Sequence, residues 1–344
     1  MSGAGTVDVG VRPPGWIGKE AGPFEVLAGW VQRAERLGFD TVFVGDRLLS
    51  QASKAQQVVY GASMLDATVV LSALAARTER IQLGPLVLVF PYRHPIQLAK
   101  TLASLDVVSG GRLIVGAGIG WNEREFAALG IPTAGRGAEF ELQLEAVRAL
   151  WRGEPCSYSG TRWHFDDVEI SPLPVRAGGP PVWLASFSPG HALDWSARVY
   201  GPEARVLDRV GRLADGWVPL IYSASSKRRL DAAVLGDAWS RVLDSAATEG
   251  RGRDDIDFVF SDWCFVLDGA DSRRRCQQAL ERFFTGDWED ALRTYSIGSV
   301  EEIVEKVRTH TAAVDRVDSY ILTPLSADAD QLELLVGVAE GLRS

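Results

Sequence analysis

Strand-type and helix-type segments alternate along the whole of this chain, and that alternation restricts the fold more than any other feature. The clearest strand is IQLGPLVLV at 81–89, whose apolar residues run on with almost no polar interruption. A strand with one face in water alternates apolar and polar residues, so a continuous run reads as a strand covered on both faces, as in a parallel sheet. Shorter strands are expected at 7–11, 41–44, 112–118, 182–185, 216–220, 258–266 and 319–322. Between them, apolar spacing and stop signals predict helices at about 24–37, 66–76, 95–107, 137–152, 203–214, 226–249, 299–313 and 328–342. Eight strand–helix units over 344 residues fit an α/β fold of the (β/α)8 TIM-barrel kind better than an open doubly wound sheet.

The chain therefore reads as a single domain over 1–344, with insertions near 45–65, 121–136, 153–181 and 268–298. Barrel sites form on such loops. Within one of them, SYSGTRWHF at 157–165 alternates around Ser159-Gly160 and predicts a small hairpin before the fifth strand.

Charge and residue usage exclude several function classes. With 36 basic against 45 acidic residues the net charge is −9, which argues against nucleic acid as a partner. The one basic run, Arg273-Arg274-Arg275, lies among Asp268, Asp271 and Glu281 and reads as a solvated helix face. No stretch approaches the roughly 18 apolar residues of a spanning helix, and the start MSGAGTVDVG lacks a charged, apolar leader. No membrane role and a cytoplasmic location are expected. Cys156, Cys264 and Cys276 are odd in number and far apart, so they read as reduced fillers. His94, His164, His191 and His310 show no paired metal-ligand spacing, so no catalytic metal is expected. The five lysines all fall on loop or helix positions, which disfavours Schiff-base chemistry.

Gly116-Ala117-Gly118-Ile119-Gly120 follows a strand directly, and glycines there can let backbone N–H groups approach an anion or can simply make a tight turn. The surrounding motifs are more specific. They run from Leu37-Gly38-Phe39-Asp40 and Gly45-Asp46-Arg47-Leu48 through Pro91-Tyr92-Arg93-His94-Pro95 and Ser109-Gly110-Gly111-Arg112. Gly116 to Trp121, Glu125-Phe126-Ala127-Ala128-Leu129-Gly130, Gly179-Pro180-Pro181-Val182-Trp183 and Ala214-Asp215-Gly216-Trp217 follow in order. Together, over residues 7–220, they resemble the bacterial luciferase-like family of flavin- and F420-dependent oxidoreductases.

The resemblance implies a luciferase-like barrel, a flavin or deazaflavin at the C-terminal strand ends, and a homodimer. It places a non-proline cis peptide at Leu86-Val87, against the cofactor ring. It places phosphate contacts on Ala117 and Gly118 and on Ala185, Ser186, Phe187 and Ser188. A branched side chain at Gly118 is then expected to weaken cofactor binding while leaving the fold intact. Three departures stand out. Arg47 occupies the place of a histidine common among relatives, Ile119 stands where sugar-phosphate-oxidising relatives carry glutamate, and the segment Ser188 to Arg212 is longer than usual.

From the residues that remain, Arg47 and His94 are the expected catalytic pair, a fixed cation and a proton carrier. Asp46-Arg47 reads as a cofactor-facing pair or a loop ion pair, and Trp16 and Trp121 as walls of a pocket for a small-molecule substrate. The leading expectation is hydride transfer between F420 and a small organic substrate. The alternatives are an FMN-dependent monooxygenase fed by a partner flavin reductase, and a flavin-binding protein without turnover.

Overall fold

The computed structural model describes residues 7–14, 24–49, 64–187, 195–201, 204–223, 228–281 and 284–344. These divide into two compact units, one of the described residues up to Phe43 with Met64 and those from Leu184 to Ser344, the other of Val44–Leu49 and Leu65–Trp183. Trp16 and Ser188 lie outside the described residues, as does most of 45–65 and part of 188–212.

In the first unit, strand Asp8–Val11 runs parallel to Ser319–Pro324, with Asp8 opposite Ser319 and Val11 opposite Leu322. Ser319–Pro324 in turn pairs with Asp257–Val266, which also pairs with Gly216–Pro219 and with Ser296–Gly298, all in parallel. All six residues of Ser319–Pro324 are buried, so this strand is covered on both faces as its apolar sequence requires. Helix Val300–Thr311 begins where Ser299-x-x-Glu302 closes a reciprocal cap, Ser299 Oγ accepting from Glu302 N and Glu302 Oε2 accepting from Ser299 N at 2.7 Å.

In the second unit, Leu88–Val89 lies parallel to Ala117–Gly118 of strand Val115–Gly118, and Leu86 N donates to Val44 O at 2.7 Å. The apolar run expected as one strand at 81–89 is thereby two, Gln82–Pro85 and Leu88–Val89. The Leu86-Val87 peptide between them is cis. The Ser109-Gly110-Gly111-Arg112 motif ends helix Pro95–Ser109 with Gly110 in the left-handed region, φ 68°. Arg112 then donates to the carbonyls of Ala75, Thr78, Ile81 and Ser109, tying that helix end to the end of helix Ala67–Ala75. The hairpin is present as Cys156–Ser159 against His164–Val168, with Ser159 opposite His164.

Other boundaries differ for local reasons. The helix expected at 226–249 starts at Ala232, because Arg228–Arg229 pairs antiparallel with Tyr222–Ser223 before it. The segment 268–298 is more than a loop. It holds helices Ser272–Leu280 and Trp288–Thr294 and the strand Ser296–Gly298, elements too short or too polar for periodicity to register. Helix Glu123–Ala128 likewise occupies part of 121–136. The three arginines are a helix face, as expected: Arg274 pairs with Asp271, Arg275 with Asp268, and the Arg273 guanidinium lies 4.8 Å from the centre of the Trp288 ring. The three cysteines are free and buried. No helix among the described residues is long and apolar enough to cross a membrane.

Candidate active site

The loop Gly45–Leu49 leaves strand Thr41–Val44 and carries two of the expected site residues. Asp46 is almost entirely enclosed, its side chain 1% exposed. Its Oδ2 accepts from Arg93 Nη1 at 2.7 Å and from Val89 N at 3.1 Å, and its Oδ1 from Arg93 Nη2 at 2.9 Å. Asp46 is thus ion-paired with Arg93, and its carboxylate holds the start of the loop to the end of strand Leu88–Val89.

A second carboxylate holds the far side. Asn122 caps helix Glu123–Ala128 by accepting from Arg124 N at 3.2 Å, and the helix turns Glu125 inward. Buried Glu125 accepts from Leu48 N and Leu49 N through Oε1, both at 3.0 Å, and from Tyr92 OH through Oε2 at 2.9 Å. Burial and the neighbouring Glu125 carboxylate push the Tyr92 phenol well above its ordinary value, so it stays a donor. Arg47 stands between these two anchors. Its guanidinium carbon is 5.7 Å from the centre of the Trp121 ring, and Trp121 is 53% exposed just after strand Val115–Gly118.

His94 is placed differently from its partner in the expected pair. It is the N-cap of helix Pro95–Ser109, with Nδ1 accepting from Ile96 N at 3.2 Å. The rings of Trp163 and Phe165, from the hairpin, lie 5.1 and 5.9 Å from it. Burial, and then the Arg162 charge, push its pKa down. A neutral imidazole whose Nδ1 accepts must carry its hydrogen on Nε2, so His94 offers an N–H donor there. Its hydrogen bond is with Ile96 N, its ring neighbours are Trp163 and Phe165, and the charge acting on it is that of Arg162.

The glycines after Val115 serve close packing. A Cβ at Gly116 would stand 2.3 Å from Pro85 O, and one at Gly118 would stand 2.7 Å from Val87 Cγ2. A branched residue at Gly118 would therefore have to displace the Val87 side chain, so its effect on packing comes with any effect on cofactor binding. Leu86 is buried and Val87 half-buried, so beside Gly118 the chain offers an apolar wall.

In the first unit, strand Val182–Ser186 ends in Ala185 and Ser186, whose Oγ accepts from Trp217 Nε1 at 3.2 Å. Phe187 follows in the left-handed region, φ 66°, its carbonyl accepting from Leu220 N at 3.0 Å. A non-glycine residue there is uncommon and marks a backbone held by its surroundings.

Glu125, Tyr92 and Arg93 were absent from the residues singled out as functional, although they lie inside the quoted motifs. The available signal was Tyr-Arg directly after an apolar strand, polar side chains that burial must satisfy.

The luciferase-like monooxygenase family profile matches residues 9–316. An F420-dependent glucose-6-phosphate dehydrogenase from Microbacterium testaceum is 31% identical over 244 residues, 70% of this chain and 63% of that protein. The oxygenase component of the flavin-dependent trigonelline monooxygenase from Acinetobacter baylyi is 31% identical over 121 residues, 35% of this chain and 33% of that protein. The chain spans about half the length of the first curated relatives it matches, 49%. The crystal structure of monooxygenase RslO1 from Streptomyces bottropensis superposes with a TM-score of 0.77 at 25% identity, covering 97% of this chain and 98% of that one. With the luciferase-like (β/α)8 fold and a family match over nearly all its length, the chain belongs to the luciferase-like monooxygenase family.

Proposed function

We propose that this protein is an oxidoreductase that transfers hydride between coenzyme F420 and a small organic substrate. The observation that carries the reading is Arg47, flanked in the chain by Asp46, which Arg93 holds, and by Leu48 and Leu49, whose N–H groups Glu125 holds, with its guanidinium 5.7 Å from the centre of the exposed Trp121 ring. A cation carried on so anchored a backbone stabilises negative charge developing on a substrate that accepts hydride. Leu86 and Val87 offer an apolar wall that suits a deazaflavin ring, while Ala185, Ser186, Phe187 and Ser188 enter the reading as phosphate contacts through the sequence resemblance. Ala117 and Gly118 belong to the same reading through their backbone. When bound, the deazaflavin supplies the hydride or accepts it. His94 serves as the proton carrier through Nε2, and Trp121 as part of the substrate wall. A cytoplasmic homodimer of single-domain subunits completes the reading and rests on the sequence resemblance alone.

A second reading is favoured by the similarity to the trigonelline monooxygenase oxygenase component. There the cofactor is FMN, delivered reduced by a partner reductase. Equilibrium binding of F420 and of FMN to the purified protein decides between them. A preference of about 100-fold, or about 2.7 kcal/mol, for F420 supports the first reading, and the same preference for FMN overturns it.

A further inference from the structure

We propose that Glu125 is a positioning residue for Arg47, acting through the loop backbone rather than by touching a reactant. The inference rests on the reading of Arg47 given above and deepens it. Leu48 and Leu49 are the two residues immediately after Arg47, and both of their N–H groups turn to a single oxygen, Glu125 Oε1, at 3.0 Å. Two consecutive N–H groups aimed at one point leave the intervening backbone little freedom. The other oxygen is occupied by Tyr92 OH at 2.9 Å, so the carboxylate cannot swing away from the loop.

The preceding residue is anchored just as firmly. Asp46 is fixed by Arg93 and by Val89 N, so Arg47 is the one side chain between two buried anchors that come from different segments. Arginine has many rotamers, and preorganising its guanidinium requires that its Cα at least be fixed before charge develops. The cost of burying a carboxylate on a six-residue helix is then explained by what it holds in place.

Glu125→Ala removes both bonds to the loop. Glu125→Gln keeps an oxygen for Leu48 and Leu49, while the Tyr92 hydroxyl can turn to accept from the new amide. Two readouts separate positioning from general stability: hydrogen exchange at the Leu48 and Leu49 amides, and single-turnover oxidation of reduced cofactor in a cycle with Arg47→Ala.

In Glu125→Ala those two amides should exchange at least about tenfold faster, with near wild-type exchange in Glu125→Gln. The single-turnover rate should fall by about 10²-fold with Glu125→Ala in the wild-type background. In the Arg47→Ala background the same substitution should change the rate by less than about twofold, because the residue it positions is already gone. Unchanged amide exchange overturns the proposal, and so does a Glu125→Ala cost that persists in full without Arg47. An Arg47→Ala rate equal to wild type overturns the reading of Arg47 and this inference with it, whereas a slow Arg47→Ala with additive Glu125→Ala overturns the inference alone. Should Glu125→Ala fail to fold, Tyr92→Phe removes only the contact at Oε2, and its smaller cost must show the same dependence on Arg47.

Discussion

Arg93 grips Asp46 with both guanidinium ends, Nη1 to Oδ2 at 2.7 Å and Nη2 to Oδ1 at 2.9 Å. The pair ties the loop of Arg47 to the end of an apolar strand, and its carboxylate is buried while its guanidinium is 18% exposed. Removing one partner of such a pair leaves the other charge enclosed and uncompensated. Asp46→Ala also strands the Val89 N–H. It is expected to lower the unfolding free energy by about 3 kcal/mol, seen as a lower urea midpoint with an unchanged slope. Arg93→Lys keeps the charge but loses the two-point geometry and should cost less than Asp46→Ala. Equal midpoints for Arg93→Lys and wild type would show that the fork geometry contributes nothing.

Gly118 tests whether its missing side chain serves packing. A Cβ there would stand 2.7 Å from Val87 Cγ2, closer than real contacts allow. Gly118→Ala should therefore destabilise the protein by about 1–3 kcal/mol through overpacking. Val87→Ala vacates the contested space, so the double variant should lose markedly less than the sum of the two single losses. Strict additivity in denaturant unfolding would show that the two positions do not compete.

The first unit contains a titrating network whose sign can be worked out. Arg229 pairs with buried Asp262 at 2.6 Å and donates through Nε to His310 Nε2 at 2.8 Å, while His310 Nδ1 donates to Lys306 O at 2.9 Å. Burial, and then the Arg229 charge, push the His310 pKa down from 6.5, against the Lys306 carbonyl it donates to and the Asp262 carboxylate, which both raise it. The folded state therefore resists a proton that the unfolded state takes up. Stability should be at its full value above about pH 6.5 and should fall as the pH drops from there towards the depressed folded value. His310→Gln removes the titration, and chemical denaturation at several pH values should show a shallower acid slope than wild type. An unaltered slope would place the acid sensitivity elsewhere.

Much of the fold was legible because parallel strands advertise themselves. All eight expected strands are present, and Ser319–Pro324 is buried residue by residue, as its SYILTP sequence suggests. What escaped were elements decided by contacts distant in sequence. Nothing local in IQLGPLVLV says that Leu86 will turn to Val44 while Leu88 and Val89 pair with 117 and 118. At the site, Asp46 and Arg47 were legible as a polar pair after a strand. Glu125 was not, since a glutamate in a short polar helix has the same appearance in sequence whether it faces water or, as here, two backbone amides 76 and 77 residues away.

Arg47 and His94 divide the expected chemistry between a fixed charge and a proton, and the structure separates their signatures. A guanidinium stays charged at neutral pH, so Arg47 acts by electrostatics alone. Arg47→Ala is expected to slow single-turnover cofactor oxidation by about 10²–10³-fold, the scale of losing one preorganised donor. His94 is different because its Nδ1 is spent on the Ile96 N–H and its pKa is pushed below 6.5. Protonating Nδ1 would oppose that cap, so the imidazolium, the stronger acid, forms only at lower pH. The wild-type rate should rise as the pH falls through this depressed value. His94→Asn retains a capping side chain but cannot titrate, so it should lose the pH limb while keeping its stability. His94→Ala should lose both, with about 1 kcal/mol less stability. A pH limb that survives in His94→Asn with cofactor still bound would show that the proton reaches the substrate from solvent or from another residue.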